Sequence, residues 1–152
     1  MQDAYQQAAD FLNSVFEQSG LKLQLELKDS STGPVLDFDG QDADLLQAEG
    51  GELLDAFQHI INQAFGRELG EGQRFVCDVK GFRATREAEL RAMAHLAADR
   101  VRSSGLPFTF GPMNASERRT IHLTLADSPD LATESVGEGA ERKLKVSPKK
   151  VG

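Results

Sequence analysis

Leu21, Leu23, Leu25 and Leu27 alternate with Lys22, Gln24, Glu26 and Lys28, and this run constrains the fold more than any other stretch. A period of two puts four leucines on one face and four polar side chains on the other, the pattern of a half-buried strand. Such a face needs a cover, and the flanking sequence offers two at helical spacing. Tyr5, Ala8, Leu12, Val15 and Phe16 precede it in a helix ending near Gly20; Leu53, Leu54, Phe57, Ile60, Ile61 and Ala64 line a longer helix after it. Asp29-Ser30-Ser31-Thr32-Gly33-Pro34 reads as a turn, Val35–Phe38 as the second arm of a hairpin, and Asp42–Leu46 as a short helical piece. Phe75–Val79 closes the series as a third strand. The order helix, strand, strand, helix, Gly turn, helix, strand predicts an α+β domain over residues 1–80, a three-stranded sheet with helices on one face.

The second half predicts another small α+β domain, over residues 81–146. Lys80-Gly81-Phe82 reads as a joint and Thr85 as the cap of a long helix. Leu90, Ala94, Ala97 and Val101 form its buried stripe, and Arg83, Arg86, Arg91, Arg100 and Arg102 fall at its ends and outer side. Pro107–Phe110 is a brief strand carrying Phe108 and Phe110, at least one of them core. Leu144–Val146 is a last strand, and Ser147–Gly152 a flexible basic tail. Between them, Asn114 can cap a helix while Glu117 reaches back to it, a variant of the capping box. Spacing of four then stacks Arg118 and His122 on one helix face. An always-charged guanidinium beside an imidazole that donates, accepts or stacks suits a phosphate with a neighbouring base.

The net charge of −7 argues against a polyanionic partner until its distribution is considered. Residues 1–70 hold three Lys/Arg against thirteen Asp/Glu; residues 71–152 hold fourteen against eleven. Salt screens charges beyond about 10 Å, so the local field decides affinity. No stretch approaches the roughly 20 apolar residues of a membrane span, and Met1-Gln2-Asp3-Ala4 lacks the features of a secretory signal. A single cysteine, Cys77, excludes an internal disulfide and fits a reducing compartment, so a cytoplasmic protein without direct membrane insertion is expected. His59 and His95 read as helix-boundary packing residues. The histidines and Cys77 show no metal-ligand spacing, and no phosphate-binding P-loop, nucleophile elbow or dinucleotide fingerprint occurs. No cofactor, metal or catalytic activity is expected.

These residues carry a resemblance. Gly81-Phe82-Arg83 with Arg86, the run Pro112–His122, and Thr133–Gly139 followed by Arg142 resemble the nucleic-acid-binding domain named for its Arg-xxx-His signature, the R-three-H domain, with Arg118 and His122 in the signature positions. The chain as a whole resembles the bacterial Jag family (SpoIIIJ-associated proteins, also called KhpB), in which a KH domain precedes that domain. Leu54-Asp55-Ala56-Phe57-Gln58 matches the helix after the KH loop. The resemblance leaves the separate small N-terminal domain of many members without an expected counterpart in these residues. The resemblance implies a KH-like domain over 1–80 and an R-three-H domain over 81–146.

A KH domain grips single-stranded RNA through a G-x-x-G loop, whose glycines let backbone approach phosphate. Here that place holds Ala48-Glu49-Gly50-Gly51, a degenerate loop in which only Gly51 matches. Ala48 adds a Cβ, and Glu49 opposes a phosphate at about 5 Å by about 3 kcal/mol before screening, at an effective dielectric of 20. The expected function is therefore capture of single-stranded RNA, or single-stranded DNA, by the second domain, mainly through backbone contacts. Arg118 would hold phosphate bidentately and His122 would donate or stack. Arg119 is either a second phosphate contact or solvated charge, and Arg142 and Lys143 border the site if the last strand packs beside the helix. The resemblance also implies a post-transcriptional role in cell elongation or division. The competing expectation is a protein-interaction module, in which the acidic half docks a partner and nucleic acid is secondary. Its candidate partners are a second copy or a small single-KH protein.

Overall fold

The computed structural model describes residues 2–149. The chain divides between Arg83 and Ala84 into two compact units, each with its own core. Both are α+β, each built on a three-stranded sheet.

In the first unit, helix α1 (Gln2–Ser19) is followed by strands β1 (Gln24–Ser30) and β2 (Gly33–Asp39), the short helix α2 (Ala43–Gln47), helix α3 (Glu52–Phe65) and strand β3 (Val76–Val79). The sheet order is β1-β2-β3, with β1 antiparallel and β3 parallel to β2. Leu36 and Phe38 of β2, with Cys77 and Val79 of β3, point to one face, where Leu12, Phe16, Leu54, Phe57 and Ile61 cover them. Period two in the strands meets period 3.6 in the helices, as the sequence predicts. Ile60 and Ala64 depart from it. Both are exposed, because the stripe of α3 that meets the sheet is only as wide as Leu54, Phe57 and Ile61. His59 is also exposed rather than packed at a boundary, as is His95 further along the chain. The edge strand β3 is closed by side chains. Asn62 donates to the Phe75 carbonyl and accepts from its N–H, at 2.9 and 2.8 Å, and Gln58 Oε1 accepts from the Cys77 N–H at 3.0 Å.

The joint is tighter than expected. Lys80 (φ 52°) and Gly81 (φ 70°) reverse the chain, and Asp78 Oδ1 accepts from the Arg83 N–H at 3.2 Å. Helix α4 (Phe82–Ser104) consequently starts at Phe82, and Thr85 lies inside its first turn rather than capping it.

The second unit continues with strand β4 (Phe108–Thr109), helix α5 (Ala115–Leu125), strand β5 (Leu131–Val136) and strand β6 (Lys143–Pro148). Its antiparallel sheet has the order β4-β6-β5. Leu90, Ala94, Ala97 and Val101 of α4, with Ile121 and Leu125 of α5, bury Phe110, Leu131, Leu144 and Val146 on one face. Strand β5 is an element the sequence reading lacks, because its inward positions Thr133 and Ser135 are polar and weaken the apolar alternation. The expected tail is shorter at its start, since Ser147 and Pro148 belong to β6, paired with Ala132 and Leu131; residues 150–152 lie outside the described residues.

Candidate nucleic-acid interface

The start of α5 is fixed from both sides. The Asn114 side chain accepts from the Glu117 N–H at 2.9 Å, and Glu117 Oε1 accepts from the Asn114 N–H at 3.3 Å, completing the capping box. Glu117 is nevertheless buried, 6% exposed, and its other oxygen pairs with Arg86 Nε at 2.7 Å. Arg86 also reaches Glu89 at 3.1 Å. Burial disfavours the Arg86 charge, but the two carboxylates outweigh it and hold its pKa above the ordinary value. This cluster sets where α5 begins and hence the direction in which Arg118, the next residue, projects.

Arg118 Nη1 donates to the Met113 carbonyl at 2.7 Å and Nε to Ser135 Oγ at 3.2 Å. His122 Nδ1 lies 2.5 Å from Thr133 Oγ1. The match is geometric. Four residues of helix advance about 6 Å and two residues of strand about 7 Å, so the hydroxyls of Thr133 and Ser135 stand under His122 and Arg118 at nearly their spacing. With Nδ1 engaged, the Nε2 edge of the exposed imidazole is the one left for a ligand. Among the described residues Arg118 forms no ion pair, so its charge is held in place without being neutralised.

The other arginines divide sharply. On α4, Arg91 pairs with Glu87, and Arg102 pairs with Asp130 at 2.8 Å and Asp99 at 3.9 Å. Arg83 in the first unit binds Asp55 at 2.8 Å, the Cys77 carbonyl at 2.7 Å and Gln58 at 3.2 Å. The resemblance-bearing residues Arg83 and Arg86, with Asp55 and Gln58, therefore serve the architecture. Arg119 is exposed and lies about 60° round the helix from His122, on the same side as the signature pair. Arg142 lies close by, since its carbonyl accepts from the Met113 N–H at 3.1 Å and its Nη1 reaches the Gly137 carbonyl at 3.1 Å. Lys143 does not join them. Strand alternation opposite to the buried Leu144 turns it, with Lys145, to the other sheet face.

The Ala48–Gly51 loop carries a different electrostatic signature. Glu49 (φ 53°), Gly50 (φ 68°) and Gly51 (φ 87°) are successive left-handed residues before α3. A Cβ on Gly51 would lie 2.8 Å from the Phe82 ring. The Glu49 carboxylate raises the pKa of Glu52 one turn away, by hydrogen bonding and by repulsion. Two interacting acids therefore stand at the start of α3.

Sequence reasoning identifies Arg118 and His122 but not Thr133 and Ser135 as their supports. The detectable signal is a hydroxyl pair two apart in a strand, facing a signature pair four apart in a helix. Comparison with known proteins bears on the same segment. Residues 88–148 match the family model of the R-three-H domain. Three curated relatives, each named RNA-binding protein KhpB, align along nearly the whole chain. The Bacillus subtilis (strain 168) protein is 29% identical over 150 residues, covering 97% of this chain and 72% of the relative. The Clostridium symbiosum protein is 26% identical over 145 residues, covering 94% and 65%. That of Lactiplantibacillus plantarum (strain ATCC BAA-793 / NCIMB 8826 / WCFS1) is 27% identical over 141 residues, covering 93% and 44%. The chain is thus similar to KhpB proteins along nearly its whole length and carries an R-three-H domain over residues 88–148. Against two of these three KhpB proteins it spans less than two thirds of the relative's length. Among the described residues no helix is long and apolar enough to cross a membrane, and no group of three or more potential ligand side chains could hold a metal.

Proposed function

We propose that this chain, similar to KhpB proteins, binds RNA, and that it captures a single strand on the face formed by α5 and β5. The observation that carries this reading is the un-neutralised Arg118 guanidinium, oriented by Met113 and Ser135 beside a His122 whose outer edge is open. Arg118 offers its remaining N–H groups to a phosphate, His122 donates to phosphate or sugar or stacks on a base, and Arg119 and Arg142 extend the cationic track. Backbone contacts predominate, so base preference is slight and single-stranded DNA competes. The first unit, with its strand pairing and helix–turn–helix around residues 48–51, has a KH-type arrangement in this reading; its acidic loop contributes no phosphate clamp. Titration of labelled single-stranded RNA tests the assignment. Arg118→Ala with His122→Ala is expected to remove most binding while circular dichroism and melting stay unchanged, and wild-type affinity in the folded double variant refutes the site.

A second role for the first unit is protein association. Phe11, Leu45 and Ile60 are 39, 49 and 44% exposed on an acidic surface without a cationic track. Its partner would be a second copy or a small KH protein, and light scattering of the purified chain decides for or against the first of these.

A further inference from the structure

The second unit has another opening, away from Arg118 and His122. Met93, Leu96, Ala97 and Arg100 occupy one face of α4 at spacings of three and four, and with Phe108 and Phe110 they enclose a cleft of about 360 Å³. Phe110 forms its buried floor, packed edge-on against Phe108 with ring centroids 5.1 Å apart. The rim is apolar as well: Leu96 is 71% exposed. Arg100 is the one charged lining group, 5.6 Å above the Phe108 ring, and among the described residues it forms no ion pair.

The wall opposite α4 is the edge of a sheet. Among the described residues strand β4 pairs only with β6, Phe108 standing opposite Val146, and the Phe110 N–H donates to the Leu144 carbonyl at 2.9 Å. In an antiparallel ladder alternate residues turn their backbone groups toward the neighbour, so Phe108 and Phe110 face β6 and Thr109 turns its N–H and C=O outward. The cleft therefore offers a helix on one side, an open strand edge on the other, an apolar floor and one uncompensated cation. β4 and β5 flank β6 from opposite sides, so this opening and the Arg118/His122 face lie at opposite edges of the sheet.

We propose that the α4–β4 cleft is a docking site for an extended peptide segment of a partner protein, in which a Leu, Met or Phe side chain is flanked by acidic residues. The segment adds to β4 by exchanging hydrogen bonds with Thr109, its apolar side chain fills the cleft between Met93, Leu96 and Phe110, and a carboxylate meets Arg100. A nucleic-acid strand fits less well, because it would bring several phosphates to a rim with a single cation. Pro107 and the Gly111-Pro112 pair bracket the edge, limiting strand addition to a short segment.

The test uses the full chain, labelled for NMR, and acetylated pentapeptides alternating Glu with Leu, Met or Phe, their Lys-for-Glu counterparts, and oligouridylate. Acidic members are expected to move the Thr109 amide and the Leu96 methyls and to leave His122 unperturbed. Arg100→Glu, at an exposed position, should weaken them by about tenfold and transfer the preference to the Lys peptides. Leu96→Lys, equally exposed, should abolish binding with the fold intact. Failure of every acidic peptide to move Thr109 overturns the proposal, as does equal binding of Glu and Lys peptides. Oligouridylate moving the same signals and displacing the peptides overturns it too, making the cleft a nucleic-acid subsite.

Discussion

Replacing Glu117 by Gln removes one charge from the cluster that sets the start of α5 while keeping the side chain's size and its Oε1. The Asn114 N–H can still be accepted, so the helix cap survives; what disappears is the anion 2.7 Å from Arg86 Nε. Removing one partner of a fully buried ion pair costs about 3–5 kcal/mol. Arg86 is not fully buried: its side chain is 29% exposed and keeps Glu89 at 3.1 Å. Partial hydration and the surviving partner reduce the expected loss to about 2 kcal/mol. For a unit of this size that corresponds to a melting point roughly 10 °C lower. Glu117→Ala should cost about 1 kcal/mol more, because the return bond of the capping box goes as well. Urea denaturation of the full chain measures both losses, and a cycle with Arg86→Met isolates the pair. The double variant Arg86→Met/Glu117→Leu is expected to recover much of the loss, since two apolar groups leave no orphaned charge. If Glu117→Gln stays within about 0.5 kcal/mol of the parent, in the range of an ordinary surface substitution, the cluster does not anchor the helix. The direction of Arg118 would then have another cause.

Gly51→Ala is expected to destabilise the first unit by about 1–2 kcal/mol, through the left-handed backbone and displacement of the Phe82 ring 2.8 Å away. Gly20→Ala, at φ 77° with nothing within 4 Å, bears the backbone cost alone, so equal losses in urea melts would deny Phe82 any part. Cys77 is fully buried; burial pushes its thiol up to about 12, against a smaller lowering by Arg83. At pH 8 the native thiolate fraction is on the order of one in ten thousand, so Cys77 should react with a thiol reagent only as fast as the chain opens. Rapid reaction in the native state would contradict its packing.

The elements legible in the sequence were those in which apolar residues alone specified the face. Leu25 and Leu27 of β1 and the alternation around Leu36 and Phe38 have one solution, because a shift by one residue would turn the whole set to the other face; Leu21 and Leu23 pack on the same core but precede the strand, and Leu90–Val101 keeps a single helical stripe. β5 was illegible for the same reason in reverse. Thr133 and Ser135 face inward not to fill a core but to hold His122 and Arg118, and hydroxyls at alternate positions read equally well as loop. Thr85 does not cap α4, because the acceptor at its start, Asp78, sits across a turn made by Lys80 and Gly81 rather than beside the helix in sequence. Lys143 shows a further limit. Adjacency to Arg142 in sequence suggested a shared site, but one step along a strand reverses the face.

Pairing explains how a chain with net charge −7 can present a cationic face. The arginines that sequence places along α4 look like the natural polyanion track, yet Arg86, Arg91 and Arg102 are each engaged by carboxylates. Their field beyond the surface is that of dipoles, which falls off faster than that of a lone charge. Among the described residues Arg118, Arg119 and Arg142 have no such partners, and neither has Arg100 at the opposite edge of the sheet, so three of the four unpaired arginines of the second unit gather around α5. The difference is countable in the same RNA titration. Three phosphates neutralised on a single strand give a slope of log affinity against log salt near −2, or roughly a 20-fold loss between 50 and 200 mM. Engagement of all ten lysines and arginines described from residue 84 onward would give a slope near −7. A measured slope near −2 that falls by about 0.7 on Arg118→Ala fits capture at one small face, whereas a steep slope indifferent to Arg118 means that α4 releases its carboxylates and binds RNA itself.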